Sequence, residues 1–360
     1  MTSTIAVNGR FLTMTATGVQ RYARELLPHV STLLGDDLVI IVPPDRIIRG
    51  GPDIVAELLE ADPTHRYHGV RGHWWEQAVL PRLLRRSGAR VLWSPCDWGP
   101  LAVRGQVPVI HDIAPLTEPH HFERAYRLLA RALTRPLVAR SACVATPSTR
   151  VKAELHDVLG VALNKVHVLP PGVGEPFSSW PVDDVERRER RTCVLVGAHD
   201  ARKNAPFLID IWPEVRERTG LDLVLTRRTI VTTRSATPVR PAPGIRIVDD
   251  PTDRELAKLY ADALCLVWPS HYEGYGFPLL EAMAVGTPFL STDVGASTEL
   301  AIEPEQIVPL DRGRWIGQLV RWAEGGVADI ARRSVDVARA RTWDAGAAAT
   351  VALLTQISSP

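Results

Sequence analysis

Short apolar runs alternate with amphipathic stretches of helix length along the whole chain. This pattern predicts parallel strands covered by helices, such as Gly18–Leu34 and Trp74–Arg86, because a strand buried on both faces reads as a continuous apolar run. The strands expected in the first half are Thr4–Val7, Leu38–Val42, Val91–Trp93, Val107–Ile110, Ala142–Ala145 and Val166–Val168. Those expected in the second half are Thr192–Val196, Leu221–Leu225, Ile245–Val248, Cys265–Trp268, Pro288–Ser291 and Gln306–Val308.

The stretch LPPGVGEPFSSWPVDD separates the two series of strands. Its proline, glycine and serine content is typical of a linker. We therefore predict two doubly wound α/β domains, residues 1–173 and 174–342. In such sheets ligands bind beyond the carboxyl ends of the strands, so residues that directly follow strands are the first functional candidates.

Composition and charge narrow the classes of function. The 360 residues are 45% hydrophobic and 23% charged, which is usual for a globular protein, and the net charge is +1. Residues 1–173 hold 20 basic against 15 acidic side chains and residues 174–360 hold 22 against 26, a difference too small to indicate nucleic acid as a partner. No apolar run reaches the ~18 residues of a membrane span, and the start lacks a signal-peptide layout, so a cytoplasmic protein is expected. The four cysteines are widely spaced, and three lie in apolar runs, which indicates small buried side chains rather than a disulfide framework or a zinc site.

The stretch HYEGYGFPLLE places Glu273 and Glu281 around a loop that becomes a helix near Pro278. Backbone amides at such a helix start, made accessible by Gly274 and Gly276, can hold a phosphate. Two carboxylates beside a phosphate site suit the hydroxyls of a sugar nucleotide, which lie on both sides of its diphosphate. The alternative is local: Glu281 only complements the helix dipole, and Glu273 is exposed.

The stretch VGAHDARKN follows the predicted strand Thr192–Val196 and contains Gly197, Arg202 and Lys203. A guanidinium and an ammonium at the end of a strand suit a diphosphate leaving group, although an ordinary basic turn has the same composition. In VPVIHDIAPL, His111 follows a strand of the first domain, where it can polarise a hydroxyl nucleophile; alternatively, Asp112 caps a turn and His111 is a core residue.

Taken together, these segments resemble the retaining glycosyltransferases of family 4, which have the GT-B fold of two facing Rossmann-like domains. Glu273 and Glu281 match the E-x7-E pair of that family, VGAHDARKN is similar to its VGxxxxRKN segment, and VIHDIAPL is similar to its acceptor-side HD segment. WWEQAVLP, TGVQRYARELL and the final RTWDAGAAAT match as well, so the resemblance covers nearly the whole chain.

The resemblance implies a metal-independent hexosyl or deoxyhexosyl transferase with no cofactor beyond its nucleotide-sugar donor, for which GDP-mannose is favoured. The acceptor is expected to be a glycan, a lipid-linked sugar or a small molecule. Residues implied in binding the donor are Gly18, Gly197, Arg202, Lys203, Asp249, Asp250, Glu273, Gly274, Tyr275, Gly276, Phe277 and Glu281. Residues implied on the acceptor side are Trp75, Glu76, His111 and Asp112, and His111, Arg202, Lys203 and Glu273 are expected to take part in catalysis.

The resemblance also concerns the last helix, and it fails at one segment of the second domain. The last helix, about residues 343–360, is expected to pack back on the first domain. One departure is the stretch after Leu221–Leu225, where TRRTIVTTRSATPVRPAPG replaces the family's glycine-containing turn, so contacts from Arg227 or Arg228 to the base stay open. The alternatives are a glycogen- or sucrose-type transferase of the same fold and a non-catalytic sugar-nucleotide or glycan binder.

One predicted helix carries a stripe of arginines that bears on membrane binding. FERAYRLLARALTRPL places Arg124, Arg127, Arg131 and Arg135 in a narrow stripe. Such a stripe either meets anionic lipid at the inner face of the membrane or is the solvated face of a surface helix.

Overall fold

The computed structural model describes residues 4–15, 17–61, 69–182, 191–227, 240–325 and 327–358. The chain forms two compact units. Unit 1 comprises Met1–Leu116, Arg124–Gly172 and Thr342–Pro360, and unit 2 comprises Thr117–Glu123 and Val173–Arg341. The predicted boundaries differ from these chiefly in the short segment Thr117–Glu123, which belongs to unit 2.

The sheet of unit 1 has five strands in the order β3-β2-β1-β4-β5. They are parallel except for β3, which is antiparallel to β2. The strands are β1 (Ile5–Asn8), β2 (Leu38–Val42), β3 (Arg46–Arg49), β4 (Val91–Ser94) and β5 (Gln106–Pro108). A further parallel pair, β6 (Val144–Thr146) and β7 (Val166–Val168), continues from β5 through a bridge between Val109 and Ala145.

The sheet of unit 2 repeats this arrangement with five parallel strands in the order β10-β9-β8-β11-β12. Its strands are β8 (Thr192–Leu195), β9 (Asp222–Arg227), β10 (Ile245–Asp249), β11 (Ala263–Trp268) and β12 (Phe289–Ser291). The interior strand β11, between β8 and β12, is buried along its whole length, as its apolar sequence ALCLVW requires. The prediction of doubly wound α/β sheets is therefore confirmed for both units.

Fourteen α-helices lie in the described residues and connect the strands. In unit 1 they are α1 (Gly18–Leu34), α2 (Pro52–Glu60), α3 (Gly69–Ala78), α4 (Leu80–Ser87), α5 (Ala114–Thr117, which ends at the first residue of unit 2), α6 (Arg124–Arg140), α7 (Thr149–Leu159) and α14 (Trp343–Ser358). In unit 2 they are α8 (Ala205–Thr219), α9 (Asp253–Ala261), α10 (Phe277–Ala284), α11 (Ser297–Leu300), α12 (Arg312–Ala323) and α13 (Ala328–Arg339).

The C-terminal helix α14 packs along α1 within unit 1. Gly172 permits this arrangement, because a Cβ atom there would lie 2.3 Å from the backbone nitrogen of Trp343. A main-chain atom at that distance cannot move aside cheaply, so any other residue at 172 would displace the start of α14.

Three sequence expectations for secondary structure were wrong. The predicted helix Trp74–Arg86 is divided at Val79 into α3 and α4, because Pro81 has no N–H to donate to the preceding turn. The predicted strand Gln306–Val308 is not formed; a 3-10 turn occupies Pro304–Gln306, and Ile307 makes a single bridge to Ser291. The edge strand β3 was missed because its sequence, RIIR, contains only two apolar residues.

The cysteines follow their expected use as small core residues. Cys143, Cys193 and Cys265 are buried, Cys96 is half-buried, and all four are free thiols.

Candidate functional site

Two loops of unit 2 follow the neighbouring strands β8 and β11 and meet at the carboxyl edge of the sheet. The first contains Arg202 and Lys203, and the second contains His271 and Glu273. A backbone hydrogen bond ties them together, in which the N–H of His271 donates to the carbonyl of Arg202 at 2.9 Å. Adjacent parallel strands thus bring residues about 70 positions apart in sequence to one place.

An ion pair joins the two loops. Lys203 Nζ lies 2.5 Å from Glu273 Oε1, which also accepts a hydrogen bond from Ser270 Oγ at 2.8 Å. The ammonium lies 4.1 Å from the centre of the Trp268 ring, so it has both an anionic and an aromatic neighbour. Glu273 is only 8% exposed, which excludes the sequence alternative of an exposed carboxylate.

Arg202 lies in a short 3-10 turn, Ala201–Lys203, that begins at Asp200. Asp200 accepts hydrogen bonds from the backbone and the side chain of Arg202. Burial opposes ionisation of this carboxyl, but the hydrogen bonds and positive charge of Arg202, with the charge of Lys203, lower its pKa to about 2. Asp200 is therefore ionised at neutral pH.

The loop after β11 enters α10 through Gly276, which has a φ of 99°. That conformation favours glycine, and Pro278 occupies the first turn, where its missing N–H is not needed. Helices leave their first amide groups without intrahelical partners, so this start offers donors to an anion. Tyr275 and Phe277 flank Gly276 with their rings 5.9 Å apart.

Glu281 lies one turn inside α10 and is 5% exposed. The hydroxyl of Tyr260 donates to its Oε2 at 3.4 Å. The structure thus places both glutamates of the sequence motif in buried positions of one unit, on either side of the α10 start.

The loop after β12 packs against the loop that carries Glu273. Gly295 has a φ of 54°, and a Cβ atom there would lie 2.5 Å from the carbonyl oxygen of Tyr275 and 2.9 Å from Cβ of Glu273. The hydroxyl of Thr292 donates to the carbonyl of Ser270 at 2.6 Å. These contacts fix the backbone that carries Glu273.

The segment Thr117–Glu123 reaches the same place in unit 2. The ring of His121 stacks on that of His271 at 6.3 Å, and the Phe122 ring lies 5.8 Å from Cζ of Arg202. The sequence pattern gave no sign that this segment would lie beside Arg202.

The two aspartates proposed for the base lie at the end of β10, Asp249 as its last residue and Asp250 directly after it. Asp249 forms an ion pair with Arg227, and the backbone of Asp250, with a φ of 45°, donates to the carbonyl of Arg227 at 2.9 Å. Both aspartates are exposed, and Arg228 lies outside the described residues. Their role in binding the base stays a prediction.

In unit 1, the turn after β4 holds His111 from two sides. The backbone N–H of His111 donates to Asp97 Oδ1, and its Nε2 lies 2.8 Å from the carbonyl oxygen of Pro95. A carbonyl only accepts, so Nε2 carries the hydrogen, and a neutral ring then has its lone pair on Nδ1. Burial lowers the pKa of His111 to about 4, although the Pro95 carbonyl opposes this, and the ring is neutral at pH 7. His111 is thus suited to accept a hydrogen bond from a hydroxyl.

Asp97 is a carboxyl that the sequence did not single out. Its φ of 56° is rare for a residue with a side chain, and Asp and Asn tolerate it best. Burial and the nearby charges of Asp112 and Glu76 raise its pKa to about 8, against the effects of the His111 amide and Arg10. Asp112 itself accepts from the backbone of Ala114 at 2.9 Å, the turn-capping role that the sequence left open.

Trp75 and Glu76, predicted on the acceptor side, are both buried in unit 1. Trp75 is 2% exposed and packs in the core of unit 1 with residues of β2 and α4. Glu76 is also 2% exposed, and its two carboxylate oxygens accept from Asn8 Nδ2, at 2.8 Å, and from Arg10. Helix α3 turns these two side chains inward and leaves Trp74, which is 64% exposed, on the surface, and the acceptor contacts of Trp75 and Glu76 stay a prediction.

Gly18 is the exposed first residue of α1, after the N-cap Thr17, whose backbone donates to Gln20 Oε1 at 3.1 Å. On α6, Arg124, Arg131 and Arg135 are exposed, whereas Arg127 is half-buried. Within the described residues no helix is both long and apolar enough to cross a membrane.

Two family models match most of the chain in succession. Residues 16–174 match glycosyltransferase family 4, and residues 190–321 match glycosyl transferases group 1. The chain is a glycosyltransferase of family 4 type. The fold resemblance predicted from the separated motifs, and the assignment as an enzyme, are thereby confirmed.

Curated relatives of this glycosyltransferase include several sugar-transferring enzymes. It is 27% identical over 328 residues to the O-antigen chain mannosyltransferase RfbU of Salmonella typhimurium, covering 86% of this chain and 88% of the relative. It is 25% identical over 290 residues to a D-inositol 3-phosphate glycosyltransferase of Jonesia denitrificans, covering 70% of this chain and 62% of the relative.

Solved structures show the GT-B fold. A sucrose-phosphate synthase from Thermosynechococcus elongatus has a TM-score of 0.71 at 17% identity, covering 98% of each chain. Anabaena HepE in complex with UDP has a TM-score of 0.69 at 14% identity, covering 98% of this chain and all (100%) of that chain.

Sequence reasoning missed four residues that the glycosyltransferase places in or beside the candidate site. All four lie in segments that follow strands: Asp97 after β4, Asp200 after β8, Ser270 after β11 and Gly295 after β12. Only the fold shows that the carboxyl of Asp97 contacts the His111 backbone.

Proposed function

We propose that this glycosyltransferase moves a hexosyl or deoxyhexosyl unit from a nucleotide-sugar to a hydroxyl of a glycan, lipid-linked or small-molecule acceptor. Mannose is the favoured sugar. The observation that carries the proposal is the meeting of Arg202, Lys203 and the buried Glu273 at the carboxyl edge of one sheet. Mannose as the sugar and GDP-mannose as the donor draw support from the relatives. Besides RfbU, they include an O-antigen chain mannosyltransferase of Escherichia coli that is 43% identical over 56 residues.

The proposed division of labour follows from charge. Arg202 and Lys203 neutralise the departing diphosphate together with the amides at the start of α10, so the reaction is metal-independent and needs no cofactor. Glu273 accepts from hydroxyls of the transferred sugar, and Glu281 accepts from the ribose. Gly197, next to Lys203, and Gly274 let the backbone approach the donor.

The proposed chemistry retains the configuration of the sugar. The acceptor oxygen forms a bond to the anomeric carbon on the face from which the diphosphate leaves, and a phosphate oxygen takes the acceptor proton. His111, with Asp112 beside it, is assigned to the acceptor side in unit 1, where the lone pair on Nδ1 accepts from a hydroxyl.

A second candidate is a glucosyl transfer of the sucrose or glycogen type. It is favoured by relatives named as a probable sucrose-phosphate synthase and a glycogen synthase, and by neighbours solved with UDP or UDP-glucose.

A screen of donors separates these candidates. GDP-, UDP-, dTDP- and ADP-sugars are tested by calorimetry and by release of the nucleoside diphosphate. We expect GDP-mannose to bind most tightly and to be consumed when an acceptor is present. Preference for UDP-glucose would favour the second candidate, and failure of all four to bind would contradict the function. Binding without any turnover would indicate a non-catalytic sugar-nucleotide binder.

We further propose a cytoplasmic protein that contacts anionic lipid through unit 1. Four of its exposed apolar side chains lie on two helices: Val70 (85% exposed) and Trp74 on α3, and Tyr126 (40%) and Leu128 (57%) on α6. Trp98 joins these helices, since its ring lies 4.9 Å from that of His73 and 5.5 Å from that of Tyr126. Arginines beside exposed aromatic residues fit an anionic membrane surface.

Sedimentation with vesicles tests the membrane contact. We expect binding to vesicles that contain phosphatidylglycerol, little binding to neutral vesicles, and loss of binding when Arg124, Arg131 and Arg135 are all replaced by serine. The matched control replaces Arg82, Arg85 and Arg86, three exposed arginines of α4 in the same unit. Equal binding by both triple variants, or no preference for anionic lipid, would contradict the proposal.

A further inference from the structure

The carboxylate of Asp200 accepts from both the backbone and the side chain of Arg202, only two residues away. Its Oδ1 accepts from the backbone N–H of Arg202 at 3.0 Å, and its Oδ2 lies 2.7 Å from Nη2 and 3.2 Å from Nε. The guanidinium is therefore held side-on, through Nε and Nη2, and its Nη1 edge is turned away from Asp200.

The backbone of the turn is held as firmly as the side chain. The N–H of Asp200 donates to the carbonyl of Gly197, and the N–H of Lys203 donates to the carbonyl of Asp200, both at 2.9 Å. Phe122 lies against Arg202 from the segment Thr117–Glu123. The position of the guanidinium is thus determined by its own turn before any ligand arrives.

A fixed carboxylate beside a diphosphate-binding cation has two opposite effects. Its negative charge repels a diphosphate and weakens binding of the donor. Its hydrogen bonds restrict a long side chain that otherwise loses rotamer entropy when it is fixed by a ligand. An arrangement of this kind favours a correctly oriented charge at the moment of bond breaking over tight binding of the ground state.

We infer that Asp200 is a positioning residue for the proposed transfer, one that orients the Arg202 guanidinium toward the diphosphate leaving group. This inference rests on the proposed function. It assigns to Asp200 an effect on kcat through Arg202, and not a contact with the donor.

The variant Asp200→Ser tests the inference without removing the helix cap. Serine caps helices about as well as aspartate, but its short hydroxyl cannot also hold the guanidinium. We expect the Tm to stay close to that of the wild type and kcat to fall by about ten- to a hundred-fold, as a misplaced catalytic group predicts. The KM for the donor should stay constant or decrease, because the repelling charge is gone. Asp200→Asn keeps part of the contact with Arg202, so its kcat should lie between those of the wild type and Asp200→Ser.

A double-mutant comparison shows whether the effect passes through Arg202. In an Arg202→Ala background, Asp200→Ser should change kcat by less than twofold. The control is Asp222→Asn, which removes a carboxylate from an exposed ion pair with Arg216 in the same unit and should leave the kinetics unchanged.

The outcomes separate this inference from the function on which it rests. Wild-type protein that turns over no nucleotide-sugar overturns the proposed function and this inference with it. A wild type that is active, with Asp200→Ser at wild-type kcat or with equal losses in both backgrounds, overturns the role of Asp200 alone.

Discussion

Replacing Glu273 with glutamine should reduce sugar transfer by about 10²- to 10³-fold, the usual effect of removing one group that stabilises a transition state. Glutamine keeps the size of the side chain but loses the charge that meets Lys203 Nζ and the strong acceptor that sugar hydroxyls require. The measurement is the initial rate of transfer, together with donor hydrolysis in the absence of an acceptor. Both rates should fall, because the change affects the donor sugar and not the acceptor.

Two controls make the Glu273 result specific. Glu324→Gln alters an exposed carboxylate at the C-terminal end of α12 in the same unit and should leave the rate unchanged. A thermal melt must show that Glu273→Gln is folded, since loss of the anion leaves the half-buried ammonium of Lys203 without this partner. A folded variant with a rate within threefold of the wild type would remove Glu273 from the mechanism.

Replacing Glu281 with alanine should instead weaken binding of the nucleoside diphosphate, by about tenfold or more, because a hydrogen bond to a charged group is worth ~1.5–3 kcal/mol. Its buried carboxylate is expected to accept from the ribose, which is present in the product as well as in the donor. Calorimetry with GDP and UDP measures the effect. Transfer at saturating donor should be reduced much less than by the Glu273 change.

The contact of Glu281 with Tyr260 supplies the control for that experiment. Tyr260→Phe removes the hydroxyl that donates to Glu281 Oε2 but leaves the carboxylate in place. If Tyr260→Phe weakened nucleotide binding as much as Glu281→Ala, the role of Glu281 would be structural. An unchanged dissociation constant for Glu281→Ala would exclude the ribose contact.

The two glutamates show how much of the candidate site a local sequence motif predicts. Their spacing, and the glycines and proline between them, were sufficient to place one glutamate in a loop after a strand and the other one turn inside a helix, and α10 begins within two residues of the expected position. The spacing could not show that Glu273 is buried, because burial depends on the loops after β8 and β12. Those loops supply Lys203 and Gly295 from 70 residues before and 22 residues after it.

The tryptophans and glutamate of WWEQ show the opposite case. A resemblance to an acceptor-side segment favoured Trp75 and Glu76, but the rotation of α3 decides which side chains reach the surface. That rotation follows from packing against β2 and α4, and it buries Trp75 while exposing Trp74. Adjacent residues on a helix point about 100° apart, so a small change in rotation reverses an assignment of this kind.

The sequence by itself determined the features that depend on local pattern. Alternating apolar runs and helical stretches specify two doubly wound α/β units, and the order of several separated motifs identifies the family. The tertiary structure alone decided which group each charged side chain contacts: Lys203 contacts Glu273, Arg202 contacts the Phe122 ring, and Asp97 contacts the His111 backbone. The physical reason is that periodicity and turn chemistry act over a few residues, whereas the pairing and burial of charges depend on strands and loops brought together from distant parts of the chain.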